Sequence, residues 1–381
     1  LYLPDGVKDY LSDELMIKRK IEFKLRELFI SWGYEEILPP SFEYYDTFKN
    51  TLRSIDEKDI FRFFDKEGDI LALRPDVTTQ IARIIAARYK DNMVKRFCYI
   101  TNVFRYDEPQ AGRLREFTQG GIELAGIKSD EADAEVIALA IRALNDIGIY
   151  DFKIDVGQVE FLDGFFEDLH LRDELVEKLK LYVSMKNLSG LERYLDELDI
   201  DVSVKQLLLM LPELFGGYEV LDKARAMTSN RKALDAIENL RGIYSVLKDL
   251  EMDRYVIFDL GTTQKLNYYT GIVFKGFVRD IGYGILAGGR YDNLVSNFGI
   301  NRAAVGFAIG IERAMLALVK QHGDGVNLPK KTLIIYSRAK IKDAFLKAEE
   351  MRKEGKIVEL ALNSDSSRYD LQRYSDVISL L

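Results

Sequence analysis

The chain has 381 residues, 47% of them hydrophobic and 30% charged, with a formal net charge of −8. That length accommodates two or three domains at roughly 100–200 residues each, and the composition is that of a globular protein. No apolar run approaches the ~20 residues of a membrane span, no leader-type segment opens the sequence, and the acidity argues against a surface given over to phosphate binding; a cytoplasmic protein is expected.

Residues 13–32, DELMIKRKIEFKLRELFISW, place Ile17, Ile21, Leu25, Leu28 and Trp32 at intervals of three and four, which predicts an amphipathic helix capped by Ser12 and ended by Gly33. YEEILPPSFE follows as an extended segment that Pro39 and Pro40 confine to an edge or an interface. DIFRFFDKEGDILALRPD predicts a hairpin turning around Glu67 and Gly68, and VTTQIARIIAARYK a helix with Ile81, Ile84, Ile85 and Tyr89 on one side. RFCYITNVFRYDE and REFTQGGIELAG are strands flanking the polar loop PQAGRL, backed by a helix from Asp130 to Asp146. From Phe161 to Met252 the pattern turns almost wholly helical. Strands return with RYVIFDL, NYYTGIVFKGFV and GYGILAGGRYD, and AVGFAIGIERAMLALVKQ reads as a buried helix. After the linker-like HGDGVNLPKK come one strand–helix–strand unit and a short tail. The order is that of an α+β fold, an antiparallel sheet flanked by helices.

The chemistry available is narrow. The single cysteine, Cys98, excludes a disulfide framework and a cysteine-built zinc site, and its apolar neighbours mark it as a buried thiol. Only two histidines exist, His170 and His322, in polar contexts without a nucleophile or metal-spaced partner. Neither triad hydrolysis nor a metal site is supported, and the glycines of GYGILAGGRYD lack the spacing of a dinucleotide loop. Three polar clusters fall on strands that should be half buried: Arg74, Asp76 and Thr78; Arg105, Asp107, Arg113, Arg115, Gln119 and Glu123; and Tyr268, Tyr269, Tyr291 and Arg313. Gln119 and Glu123 are an even number of residues apart, so they share one strand face, with Gly120 and Gly121 leaving room beside the backbone. A carboxylate, an amide and phenols converging on a concave face suit a small ligand with positive charge and donor groups. A solvated face with surface ion pairs is the competing reading.

Together these segments resemble the catalytic core of the histidyl-tRNA synthetases, of the class II aminoacyl-tRNA synthetase fold. GYEEILPPSFE resembles the first class II motif, whose proline lies at a dimer interface, FRYDEPQAGRLREFTQGGIE the second, and VGFAIGIER the third, ending in Arg313. NYYTGIVF and AGGRYD resemble the segments peculiar to the histidine-specific members. The resemblance implies a class II core over 1–160 and 253–322, a helical insertion over 161–252 and part of an anticodon-binding-like α/β unit over 323–381. It implies that Asp76, Thr78 and Gln119 hold the α-amino group of histidine, that Glu123 and Tyr269 hold its imidazole with Tyr268 and Tyr291 at the wall, and that Arg105, Arg113 and Arg313 match ATP-phosphate ligands.

The departures bear on activity. Gln264 stands where the synthetases carry an arginine beside the reacting carboxylate and α-phosphate, Lys265 replaces a glycine and Asn267 an aspartate. Asp107 and Glu108 stand where glutamate and arginine are expected. Loss of a preorganised charge at such a site typically costs a hundredfold or more in rate, on the order of a few kcal/mol. The combination resembles the regulatory subunits of ATP phosphoribosyltransferase, synthetase paralogues in the first step of histidine biosynthesis. That resemblance implies a non-catalytic chain without cofactor or metal. Its partners would be a short catalytic subunit, in a hetero-octamer, and a second copy through the class II interface; it would activate the catalytic chain and pass on feedback inhibition by histidine. tRNA is not expected as a partner. The alternative is a truncated or divergent histidine–tRNA ligase.

Overall fold

The computed structural model describes residues 2–49, 51, 57–106, 114–198, 200–262, 268–279, 281–323 and 331–381. These form two compact units, Leu1–Gly323 and Asp324–Leu381. Among the described residues no helix is long and apolar enough to cross a membrane.

In the first unit the strands are β1 (Glu35–Glu36), β2 (Phe42–Tyr44), β3 (Arg62–Phe64), β4 (Ile70–Leu73), β5 (Lys95–Phe104), β6 (Glu116–Ala125), β7 (Phe152–Gln158), β8 (Phe215–Gly216), β9 (Val256–Asp259), β10 (Ile272–Val278), β11 (Leu286–Arg290) and β12 (Ala304–Gly310). Nine of them make one sheet in the order β1-β5-β6-β12-β11-β10-β7-β9-β8. Its pairs are antiparallel except β1 with β5 and β7 with β9. β2, β4 and β3 form a small antiparallel sheet beside it, and the β3–β4 turn closes with Asp65 N–H donating to Asp69 O and Gly68 at φ +92°.

The helices are α1 (Ser12–Ser31), α2 (Tyr45–Lys49), α3 (Thr78–Arg88) and α4 (Asp130–Ile147), then α5 (Val159–Glu167), α6 (Asp173–Ser184), α7 (Leu188–Asp196), α8 (Val202–Met210), α9 (Glu219–Ala226) and α10 (Arg231–Asp249) between β7 and β9, and α11 (Ile311–His322). α4 is buried along most of its surface, capped by Ser129 Oγ accepting Ala132 N–H and closed by Gly148 at φ +101°, a conformation that favours glycine. Its Asp133 takes the Arg290 guanidinium at 2.6 Å, with both side chains under 5% exposed, which fixes the end of β11 against α4. A second buried hub sits at Lys18, which pairs with Glu22 at 2.9 Å and Glu312 at 3.2 Å and donates to Thr118 Oγ1. It ties α1 to β6 and α11.

Several expectations are corrected. α1 begins at Ser12, with Leu11 as its extended cap residue; the Ser12 hydroxyl bonds Asp13 instead of capping, and Asp13 and Glu14 supply the favourable negative charge of the first turn. The buried face of α1 is Lys18, Ile21, Glu22, Leu25 and Phe29, so Ile17, Leu28 and Trp32 are only partly covered. AVGFAIGIERAMLALVKQ is strand to Gly310 and helix only from Ile311. A strand buried on both faces reads as a continuous apolar run, which periodicity does not separate from a buried helix. Tyr268 and Tyr269 precede β10 instead of belonging to it, and the helical stretch between β7 and β9 contains the two-residue β8. In the second unit β13 (Lys331–Tyr336), α12 (Ile341–Lys353) and β14 (Ile357–Leu362) are joined by β15 (Tyr374–Leu380), so the tail is a strand, parallel to β13 in the order β14-β13-β15.

Removing one partner of the Arg290–Asp133 pair leaves a buried charge uncompensated. Arg290→Met should lower stability by about 3–5 kcal/mol, read from chemical denaturation, whereas Arg290→Met combined with Asp133→Leu should recover a substantial part of that loss.

Candidate functional site

One face of the large sheet carries a cavity of about 360 Å³, lined among others by Asp76, Thr78, Tyr99, Gln119, Glu123, Tyr268, Tyr269 and Tyr291. The sheet register explains the gathering. Gln119 and Glu123 alternate toward the same face of β6, and the strand order puts glycines beside them: Gly306 of β12 is directly opposite Glu123, and Gly121 lies between Glu123 and Gln119. A Cβ on Gly306 would stand 1.9 Å from Glu123 Oε2 and 2.3 Å from Ile122 O. A Cβ on Gly121 would stand 2.6 Å from the Tyr99 hydroxyl. Each glycine is therefore space for a neighbouring polar side chain.

Glu123 is the centre of the cavity. Its Oε1 accepts the Thr78 hydroxyl at 2.7 Å, from the first residue of α3, and its Oε2 accepts the Tyr291 hydroxyl, from the residue after β11. The carboxyl is 2% exposed. Burial pushes its pKa up to about 8, with Asp76 adding to the rise and the Tyr291 and Thr78 hydrogen bonds opposing it. Asp76 is buried too; its Oδ1 accepts Thr79 N–H at 3.3 Å, while Oδ2 has no hydrogen-bond partner among the described residues. Burial raises its pKa against the pull of Thr79 and Arg105. The aromatic wall is stacked on itself: Tyr268 and Tyr269 lie 4.7 Å apart by ring centroid, and Tyr268 meets Tyr291 edge-on at 5.8 Å.

The same cavity is also lined by Arg105, Phe117, Lys275, Tyr283 and Arg313. Arg105 sits over the Phe117 ring at 5.1 Å, and Arg313 over the Tyr283 ring at 5.1 Å while donating from Nη1 to Gly284 O at 2.8 Å. The structure thus brings Asp76, Thr78, Gln119, Glu123, Tyr268, Tyr269, Tyr291, Arg105 and Arg313 around one space. Arg113, Asp107, Glu108, Gln264, Lys265 and Asn267 lie outside the described residues.

Arg74 and Arg115 are elsewhere. Arg74 donates to Asn102 O at 2.5 Å and Pro39 O at 2.7 Å, stapling the Pro39–Pro40 segment to β5, and Arg115 donates to Asp5 O at 3.1 Å beside the Tyr106 ring. The residue types alone did not point to Tyr99, Phe117, Lys275 and Tyr283. Tyr99 could have been found by pairing KRFCYITNVF with EFTQGGIEL, which sets it opposite Gly121. Cys98, on the other face, is buried, and burial pushes its thiol up to about 12.

The histidyl-tRNA synthetase family model matches residues 6–314. An ATP phosphoribosyltransferase regulatory subunit of a Thermoanaerobacter species is 48% identical over 380 residues, covering 100% of this chain and 99% of that protein. One from Acetivibrio thermocellus is 41% identical, covering 95% and 87%. A crystal structure from Bacillus halodurans, described as an ATP phosphoribosyltransferase regulatory subunit/histidyl-tRNA synthetase, superposes with a TM-score of 0.88 at 32% identity, covering 100% of this chain and 98% of that one. A histidyl-tRNA synthetase from a Nostoc species shares the fold, with a TM-score of 0.81 at 21% identity over 94% and 85% of the two chains.

Two outcomes follow from the carboxylate. Its ordinary pKa is 4.5 and its folded value about 8; between them the native chain binds more protons than the unfolded one, so this group's contribution is full at acid pH and is lost as pH rises through about 8. Thermal midpoints measured from about pH 5 to about pH 9 should therefore fall less for Glu123→Gln than for the native chain. Gly306→Ala should displace the Glu123 side chain and cost about 1–3 kcal/mol in chemical denaturation, as overpacking does.

Proposed function

Because this chain belongs to the ATP phosphoribosyltransferase regulatory subunits, non-catalytic histidyl-tRNA synthetase paralogues of histidine biosynthesis, we propose that its cavity is the effector site for free histidine. Through it the chain activates a short-form catalytic subunit in the cytoplasm and imposes feedback inhibition. The observation that carries the reading is the pair of buried carboxyls in one cavity. Asp76 offers a buried oxygen with no partner among the described residues, and Glu123 is held between two hydroxyl donors.

On this reading Asp76, Thr78 and Gln119 take the α-ammonium, Glu123 and Tyr269 take the imidazole, and Tyr268 and Tyr291 close the wall. A site built from paired polar groups rejects analogues that leave those groups unpaired. Arg105, Arg113 and Arg313 are the remains of an ATP-phosphate set, and Gln264 marks the lost charge of adenylate formation. Recognition survives where activation does not. Residues 1–160 and 253–322 then form the core, 161–252 an insertion and 323–381 a reduced anticodon-binding-like unit. The chain pairs with a second copy through the Pro39–Pro40 segment and assembles with the catalytic subunit as a hetero-octamer. Feedback requires histidine to bind one assembly state more tightly than another, typically by about 1–3 kcal/mol.

Calorimetric titration of the chain should show histidine binding. Imidazolepropionate, which lacks the α-amino group, should bind at least about a hundredfold more weakly. Glu123→Ala should weaken histidine binding by about tenfold or more. Because burial raises Glu123 to about 8, binding a donor-rich ligand at neutral pH should ionise it, so the heat should vary with buffer ionisation enthalpy in the sense of proton release. Histidine-dependent ATP–pyrophosphate exchange by the chain alone, or unchanged histidine affinity in Glu123→Ala, would overturn the reading.

A further inference from the structure

The helices between β7 and β9 meet the sheet through a row of charges of which only Lys275 lines the cavity. Lys275 of β10 is directly opposite Asp155 of β7, and Asp155 is opposite Ile257 of β9, with Asp259 two residues on. Directly opposed residues share a face and alternate residues return to it, so Lys275, Asp155 and Asp259 lie in a row across three neighbouring strands. Lys275 lines the cavity. At the other end, Asp259 Oδ2 pairs at 2.8 Å with Lys186, which also stands 3.7 Å above the Phe215 ring centroid.

Lys186 occupies an unusual position. It follows the Met185 cap of α6 at φ +50°, with its N–H on Val183 O and that of Asn187 on Tyr182 O. This is the left-handed place after a helix where glycine is strongly favoured. The chain accepts the less favourable backbone with a lysine whose ammonium reaches the sheet.

Asp155 is the unsettled member of the row. Its Oδ1 is buried without a hydrogen-bond partner among the described residues. Burial and neighbouring Asp259 push its carboxyl up to about 7 against the pull of Lys186 and Lys275. The Lys275 ammonium has no hydrogen bond or ion pair to any described residue. Two further cations line a shallow groove with Asp155, and both are engaged: Lys153 donates to Arg254 O at 2.5 Å, and Arg279 is 3.6 Å from Asp151.

We propose that Asp155 is a positioning residue that couples the cavity to the inserted helices, through Lys275 on the cavity side and the Lys186–Asp259 pair on the other. The coupling rests on the effector-site reading above. Asp155 is satisfied by Lys275 only when that ammonium leans out of the cavity. A ligand carboxylate draws Lys275 inward, and Asp155 then competes with Asp259 for Lys186. Lys186 carries the turn between α6 and α7, so the balance between the two carboxylates is a two-state element that cavity occupancy biases.

Hydrogen exchange on the full chain, with and without saturating histidine, tests the coupling. In the native chain histidine should change exchange in peptides from Asp173 to Asp196 by about fivefold or more. Asp155→Asn keeps the shape without the charge, and Lys186→Gly suits the left-handed backbone while removing the ion pair. Both should still bind histidine, with an affinity changed by no more than the coupling itself, and lose the exchange response. Persistence of the response in both variants, or native binding without a response, would overturn the coupling alone. Absence of histidine binding by the native chain would overturn the effector site and the coupling with it.

Discussion

The burial of Glu123 is the constraint on which the rest of the site depends. A carboxyl with 2% exposure in the middle of a sheet is costly unless its oxygens are hydrogen bonded and a proton or a partner compensates its charge. Here the donors come from distant parts of the chain, Thr78 at the start of α3 and Tyr291 after β11. α3 must pack over the sheet, β6 must lie beside β12, and β11 must end where the Arg290–Asp133 pair holds it. Gly306 is required by the same geometry, since any Cβ would occupy the carboxylate's place. The fold around the cavity is largely the set of conditions that lets one acid be buried.

Those conditions suit recognition. Two buried carboxyls with raised proton affinity, a stacked phenol wall and an amide form a space that rewards donors and positive charge. Developing negative charge, which an adenylation transition state presents, calls for fixed cations aimed at the reacting centre. The two arginines that line the cavity rest on their own chain's aromatic rings. A regulatory chain needs the first property and gains nothing from the second, because its output is a shift between states of an assembly.

A buried hub outside the cavity ties the strand that carries Glu123 to two helices. Lys18 links α1, β6 and α11 in one buried network. β6 therefore presents Gln119 and Glu123 to the cavity on one face and Thr118 to that network on the other. Close-packed interiors have low compressibility and transmit strain, so the two faces of β6 are mechanically linked.

Much was legible in the sequence because it rests on local rules. The β3–β4 hairpin follows from its turn residues, α3 and α4 from their periodicity, and the shared face of Gln119 and Glu123 from strand alternation. The ordered motifs pointed to the family, and the chain matches its model over residues 6–314. What the sequence left undecided depends on which strands become neighbours. AVGFAIG is a strand because β6 and β11 flank it on either side, and the C-terminal tail is a strand because β13 has a free edge for it. Tyr99 belongs to the cavity because it lies opposite a glycine, Arg74 is a staple because Pro39 O comes within reach, and Asp155 matters because Lys275 and Asp259 lie beside it on other strands. Residue types and their spacing determined the elements and the chemistry on offer; only tertiary structure decided which groups share a buried space, since desolvation and pairing act between residues far apart in the chain.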